Sequence, residues 1–265
     1  MSEALVSYSE KLSRLHKSLC ELDRLAVAFS GGVDSSVLLH AGLAALSSDC
    51  VGVIADSPSL PREELRLACE FAEDLGAELI VVRTDELSNE RYVANLGDRC
   101  YFCKSALFES MSEWALERGF TALAFGEITD DLLDDRPGAI AAKEFGVLAP
   151  LRDAGFSKED VRRYAREAQL VVAEKPASAC LASRLPKGTE VTLERLATVE
   201  KAEGCLRERG YRVLRVRHHG QRALVEVGEL EIDRAREERE DLISVLQPLG
   251  FMTMDLGVYV PPNER

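Results

Sequence analysis

The stretch Ser30-Gly31-Gly32-Val33-Asp34-Ser35-Ser36 constrains this chain more than any other. A short apolar run, Leu25 to Phe29, precedes it, and a helix-like segment, Ser35 to Leu46, follows it. A strand that ends in small residues and restarts as a helix is a place for an anion. Two adjacent glycines let the backbone approach a phosphate and turn N–H groups toward it. The helix start adds unpaired N–H groups and the positive end of its dipole. Ser30, Ser35 and Ser36 add hydroxyl donors. The common phosphate loop requires Gly-x-x-x-x-Gly-Lys-Ser/Thr, and no lysine stands here. The third glycine of the dinucleotide fingerprint is missing as well.

The surrounding pattern alternates strand and helix. Val6 to Leu22 reads as a leading helix and Arg24 to Phe29 as the strand that feeds the loop. Val51 to Ala55 reads as a buried strand and Pro61 to Leu75 as a helix. That helix sets Leu65, Ala68, Cys69, Ala72 and Leu75 at helical spacing. Leu79 to Val82 reads as a strand, Cys103 to Arg118 as a helix and Thr121 to Phe125 as a strand. Such alternation implies parallel pairing, an α/β fold and a doubly wound parallel sheet. Ligands on such sheets sit at the carboxyl ends of the strands, so the loop, Asp56-Ser57 and Gly126-Glu127 are expected to converge on one pocket. Thr129 to Arg136 carries Asp130, Asp131, Asp134 and Asp135, which read either as a solvated acidic loop or as help in holding Mg²⁺. Ser157 and Asp160 form a capping box for a further helix.

Composition then changes to a Pro/Ser/Gly-rich stretch. Beyond it come a helix, Leu193 to Arg209, strands Val213 to Arg217 and Ala223 to Val227, a helix Leu230 to Leu246, and a strand near Met252 to Leu256. His219-Gly220-Gln221 fits a hairpin turn. The expected organisation is a nucleotide domain over 1–175, an active-site linker over 176–190 and a small C-terminal α+β domain over 191–265.

The net charge of −13 over 265 residues is spread along the chain, which argues against a large nucleic-acid surface. No apolar run reaches membrane-spanning length, and Met1 to Leu12 has no signal-peptide core. A cytoplasmic location with reduced thiols is expected. Of seven cysteines, Cys20, Cys50, Cys69 and Cys205 read as packing residues. Cys100-Tyr101-Phe102-Cys103 opens a helix, where the dipole favours thiolates. Its spacing fits a redox pair, half of a zinc site or part of an iron–sulfur site. A third thiol, Cys180, lies in the Pro/Ser-rich linker.

The string Ser-Gly-Gly-x-Asp-Ser resembles the pyrophosphate loop (PP-loop) of the ATP pyrophosphatases. In those families the loop holds the β- and γ-phosphates of ATP and the aspartate assists Mg²⁺. The stretch Lys175-Pro176-Ala177-Ser178-Ala179-Cys180-Leu181-Ala182-Ser183-Arg184-Leu185-Pro186-Lys187-Gly188-Thr189 resembles the signature of the LarE family. Asp135-Arg136-Pro137-Gly138, Val147-Leu148-Ala149-Pro150-Leu151 and Arg215-Val216-Arg217 support the match. Lys187 stands where the family often has an aromatic residue, and the tryptophan common before Lys-Pro is absent.

The resemblance implies an ATP-dependent sulfur transferase of nickel-pincer nucleotide biosynthesis. Its substrate is a small nucleotide, pyridinium-3,5-biscarboxylate mononucleotide, and it draws on sulfide or a sulfur donor. It implies the variant in which Cys100, Cys103 and Cys180 hold a [4Fe–4S] cluster, leaving one iron open to bind hydrosulfide. Cys180 and Glu203 then read as catalytic, Glu203 alternatively as part of a solvated helix face. Ser30, Gly31, Gly32, Asp34, Ser35 and Ser36 hold ATP and Mg²⁺, and Ser183 and Arg184 contact nucleotide phosphate. Arg215 and Arg217 point to one strand face, where they grip a substrate phosphate or are solvated. The family also implies a homo-oligomer with no nucleic-acid or membrane partner. The alternatives are a PP-loop tRNA thiolase, an amide-forming ligase of the NAD or GMP synthetase type, a non-catalytic ATP-sensing module, and a redox switch on Cys100 and Cys103.

Overall fold

The structure is a computed structural model that describes residues 6–133, 137–176 and 178–260. Asp134, Asp135, Arg136 and Ala177, named above, lie outside the described residues. The elements run α1 (Tyr8–Cys20), β1 (Leu25–Ala28), α2 (Val33–Leu46), β2 (Cys50–Asp56), α3 (Arg62–Asp74), β3 (Leu79–Arg83), α4 (Glu90–Ala94), α5 (Arg99–Arg118), β4 (Ala122–Phe125), α6 (Pro137–Glu144), α7 (Pro150–Asp153), α8 (Lys158–Glu167), α9 (Leu193–Glu208), β5 (Leu214–His219), β6 (Arg222–Val227), α10 (Ile232–Glu237), α11 (Arg239–Leu246) and β7 (Thr253–Val258).

The chain forms two compact units: 1–89 with 98–178, and 90–97 with 179–265. In the first, four parallel strands lie in the order β3-β2-β1-β4. Side chains alternate across the sheet. Leu25, Val27, Cys50 and Ile54 join one core with α1, α2, α3 and α8. Ala26, Ala28, Val51 and Val53 join a second with Phe108 and Met111 of α5 and Ala141 of α6. Both faces are therefore helix-covered, as the apolar runs of the strands require, and the α/β, doubly wound expectation holds. The chain steps outward from β1 through β2 to β3, then returns to the opposite side of β1 as β4. The switch point lies between the carboxyl ends of β1 and β4, where ligands of such sheets bind.

The second unit has a three-stranded sheet, β5-β6-β7. β5 and β6 form the expected hairpin, with Gly220 at φ +70° in its turn, and β7 joins β6 in parallel. Leu206 of α9, Val216, Val225, Leu242, Leu246 and Phe251 share its core. The single helix expected over Leu230 to Leu246 is instead two, α10 and α11. Leu230 is fully exposed and starts neither. The break at Glu238 lets Ile232 and Ala235 on one piece, and Leu242 and Leu246 on the other, enter the same core. The segment between β3 and Cys103 contains α4, and α5 begins at Arg99, so Cys100 is its second residue and Cys103 its fifth. Among the described residues no helix is long and apolar enough to cross a membrane.

Candidate active site

The loop after β1 is built from its own small residues. Gly31 sits at φ +68°, and a Cβ there would lie 3.0 Å from the Ala68 Cβ, so the left-handed turn and the close approach of α3 both call for glycine. Ser35 braces the turn: its Oγ accepts the Ser30 N–H at 3.2 Å and donates to the Gly32 carbonyl at 3.1 Å. Lys175 Nζ donates to the Gly31 carbonyl at 2.9 Å and pairs with Glu64 at 2.7 Å, fixing the loop from the far end of the unit. Helix α2 opens at Gly32 with no side-chain cap, which leaves its first N–H groups for a ligand. The Ser36 Oγ is buried without a hydrogen-bond partner. An uncapped helix start beside an orphaned hydroxyl fits a bound oxyanion.

A cavity of about 400 Å³ opens on this loop. Ser30, Gly32, Asp34 and Ser35 line one side; Gly126, Glu127 and Asp131 after β4 and Cys100 and Lys104 on α5 line the others. A Cβ on Gly126 would stand 2.8 Å from the Ser35 backbone nitrogen, so glycine alone lets the β4 loop close on the start of α2. The expected convergence of the loop with Gly126-Glu127 is present, whereas Asp56 and Ser57 do not line this cavity. Glu127 is buried and accepts from Arg152 Nη1 at 2.5 Å.

Lys104, four residues after Cys100, shares a helix face with it. Its ammonium lies 4.4 Å from the Phe125 ring centroid. Burial pushes its pKa down, against the pull of Glu127 and Asp131. Asp34 is held at both oxygens by Lys158 Nζ, at 2.9 and 2.8 Å. The cavity thus combines hard oxygen donors (Asp34, Asp131), hydroxyls, free helix N–H groups and a buried ammonium, a set suited to a magnesium-bound polyphosphate. Asp130 accepts the Lys158 backbone N–H at 3.0 Å.

The linker residues belong to the second unit. Cys180 heads a short 3₁₀ turn, Leu181–Arg184. Its carbonyl accepts the Ser183 N–H at 3.0 Å, the Ser183 hydroxyl at 2.7 Å and Arg184 Nη1 at 3.0 Å. Arg184 is only 2% exposed and is held by Glu203, itself 0% exposed, through Nε–Oε1 at 2.8 Å and Nη2–Oε2 at 3.2 Å. Glu203 also accepts the Val216 N–H and Arg207 Nη2, so its two oxygens take four hydrogen bonds and it is no part of a solvated face. Arg215 and Arg217 alternate with buried Leu214 and Val216 on β5. The Arg215 guanidinium lies 4.8 Å from the Tyr259 ring centroid, and burial together with Arg184 lowers its pKa. Arg217 pairs with Glu226 at 2.7 Å and donates to the Ser183 carbonyl at 3.4 Å. This unit therefore sets two arginines, Arg184 and Arg207, on the Glu203 carboxylate, and Arg184 and Arg217 on the cysteine-bearing turn.

Cys100 and Cys103 belong to the first unit and Cys180 to the second. Among the described residues no three His, Cys, Asp or Glu side chains meet closely enough to hold an ion. All seven cysteines are outside disulfides, and cysteine sulfurs are the soft donors that an iron–sulfur cluster takes.

An uncharacterised protein of Synechocystis is 39% identical over 253 residues, 94% of either chain. The pyridinium-3,5-bisthiocarboxylic acid mononucleotide synthase of Lactiplantibacillus plantarum, a LarE protein, is 36% identical over 256 residues, 96% of this chain and 93% of its own. The chain belongs to the LarE family. A tRNA(Ile)-lysidine synthase of Bdellovibrio bacteriovorus is 27% identical over 187 residues, 64% of this chain and 56% of its own. No protein-family model matches the chain. Against the LarE signature, the sequence reading missed Lys104, Lys158 and Lys175 as neighbours of the loop. Lys104 and Lys158 are isolated lysines on helices and Lys175 opens the signature stretch; the fold brings Lys158 and Lys175 onto the loop and Lys104 into the cavity beside it.

Proposed function

We propose that the protein is an ATP-dependent sulfur transferase that converts a carboxylate of pyridinium-3,5-biscarboxylate mononucleotide into a thiocarboxylate, a step of nickel-pincer nucleotide synthesis. The observation that carries the reading is the PP-loop cavity at the β1/β4 switch point, in a chain aligned end to end with the Lactiplantibacillus plantarum synthase.

Hydroxide is a poor leaving group, so a carboxylate resists substitution by sulfide. Attack of a carboxylate oxygen on the α-phosphorus of ATP breaks the α–β bridge, releases pyrophosphate and gives an acyl adenylate. Attack of hydrosulfide on the acyl carbon then expels AMP and leaves the thiocarboxylate. In this reading Ser30, Gly31, Gly32, Ser35 and Ser36 receive the β- and γ-phosphates, Asp34 holds Mg²⁺, and Lys104 neutralises charge on the cavity's other wall. Ser183, Arg184, Arg215 and Arg217 orient the substrate phosphate. Cys180 serves sulfur transfer, and Glu203 acts through the arginines that it fixes. Cys100, Cys103 and Cys180 would hold a [4Fe–4S] cluster, whose chemistry is to supply sulfide. The protein would work in the cytoplasm as a homo-oligomer, independently of nucleic acid.

The test of the cofactor reading is anaerobic purification and reconstitution, followed by iron and sulfide analysis and absorption spectra. About four irons per chain are expected, falling in Cys100→Ser and Cys180→Ser. Fewer than about three would remove the cluster from the account and leave the adenylation step to stand on its own assay.

A further inference from the structure

The PP-loop aspartate is already occupied. Both Asp34 carboxylate oxygens accept from Lys158 Nζ, at 2.9 and 2.8 Å, with each side chain partly exposed. Lys158 is the first residue of α8, and its backbone is fixed on two sides. Its N–H donates to Asp130 Oδ2, and the Ser157–Asp160 capping box, tied to Lys11 at 2.6 Å, holds the turn that carries it. The ammonium, by contrast, rides on a flexible four-carbon stem. A divalent cation takes several hard oxygen ligands at short range. On the Asp34 carboxylate it would compete, charge against charge, with an ammonium at 2.8–2.9 Å.

Resting on the nucleotide reading above, we propose that Lys158 is an exchange partner for Mg²⁺. It holds and neutralises Asp34 while the loop is empty. It yields the carboxylate when a magnesium-bound nucleoside triphosphate arrives, and then turns its charge to the phosphates. Lys158 is thus a positioning residue, and the exchange couples metal binding to nucleotide binding. Metal without nucleotide must displace the ammonium from Asp34 with no phosphate to receive it, near only the carboxylates of its own surroundings such as Asp130. Metal arriving with a triphosphate displaces the same cation onto a phosphate. This also answers the loop's missing lysine with a cation from another element.

The test compares wild type, Lys158→Met and Lys158→Arg, each checked for folding by thermal melting. Mn²⁺ binding without nucleotide is read by electron paramagnetic resonance, and ATP binding in EDTA is read by calorimetry. Lys158→Met should bind Mn²⁺ roughly fivefold more tightly than wild type and ATP in EDTA about tenfold more weakly. Lys158→Arg should stay close to wild type in both, and Asp34→Asn should remove the gain in Mn²⁺ affinity. Unchanged Mn²⁺ and ATP affinities in folded Lys158→Met, with wild type binding ATP, would overturn the exchange and leave the nucleotide reading intact. A wild type that binds no ATP even with Mg²⁺ would overturn both.

Discussion

Replacing Glu203 with glutamine isolates the hub of the second unit. Glu203 and Arg184 are 0% and 2% exposed, and the carboxylate takes four donors: two from Arg184, one from Arg207 and one from the Val216 backbone. Glutamine keeps the shape but presents an N–H₂ to at least one arginine N–H and leaves the Arg184 charge buried without a counter-charge. Breaking one side of a buried pair costs about 3–5 kcal/mol. At about 2–4 °C per kcal/mol for a chain of this size, Tm should fall by roughly 10 °C. Because Arg184 also holds the Cys180 carbonyl, sulfur transfer should fall with it. Thermal melting followed by circular dichroism reads the stability. Measured against the single variants Arg184→Met and Glu203→Leu, the double variant should lose less than their sum, because the buried charges leave together, with a coupling energy above about 1 kcal/mol. A fall of under about 2 °C in Glu203→Gln, or strictly additive losses in the double variant, would mean that Glu203 and Arg184 do not stabilise the unit as a buried charge pair.

Cys180→Ala should abolish thiocarboxylate formation while leaving pyrophosphate release from ATP largely intact; loss of both would place Cys180 in nucleotide activation instead. Gly126→Ala should weaken ATP binding at least about tenfold, because its Cβ meets the Ser35 and Asp34 backbone at 2.8 and 2.9 Å and a backbone cannot yield as a side chain does; unchanged calorimetric affinity would contradict the close approach. The pH dependence of ATP binding tests Lys104. Burial lowers its pKa, and only the ammonium attracts phosphate. Affinity should therefore be level below the lowered pKa and fall as pH rises through it, at lower pH than an ordinary lysine would allow. Lys104→Met should bind weakly at every pH and lose that fall; a profile unchanged in the variant would remove Lys104 from the phosphate site.

Much of the first unit was legible because its signals are local. The apolar runs at Leu25 and Val51, the capping box at Ser157 and the glycine pair at Gly31 each act over a few residues, and α/β alternation leaves few topologies. The split at Glu238 was not legible: the charged run Arg234–Asp241 reads as continuous helix, and only the need to bury Ile232 and Leu242 in one core breaks it. Nor does the sequence announce that Glu90–Gly97 groups with residues 179–265, because that follows from long-range bonds such as Val191 N–H to the Val93 carbonyl and Asn95 to Pro186 and Thr189. At the site, Ser30–Ser36 advertised an anion, but Lys104 and Lys158 reach the loop from separate helices. Glu203 looked like one acid among many on α9, and only its burial with Arg184 sets it apart.

The central claim is that ATP turns a carboxylate oxygen into part of AMP so that sulfur can replace it. Its most direct measurement is a turnover with ¹⁸O-labelled carboxylate substrate, ATP, Mg²⁺ and sulfide under anaerobic conditions, with all products read by mass spectrometry. One ¹⁸O is expected in each AMP released, with pyrophosphate in equal amount and a thiocarboxylate product. Release of ADP and phosphate, or AMP free of ¹⁸O beside a thiocarboxylate, would contradict that claim.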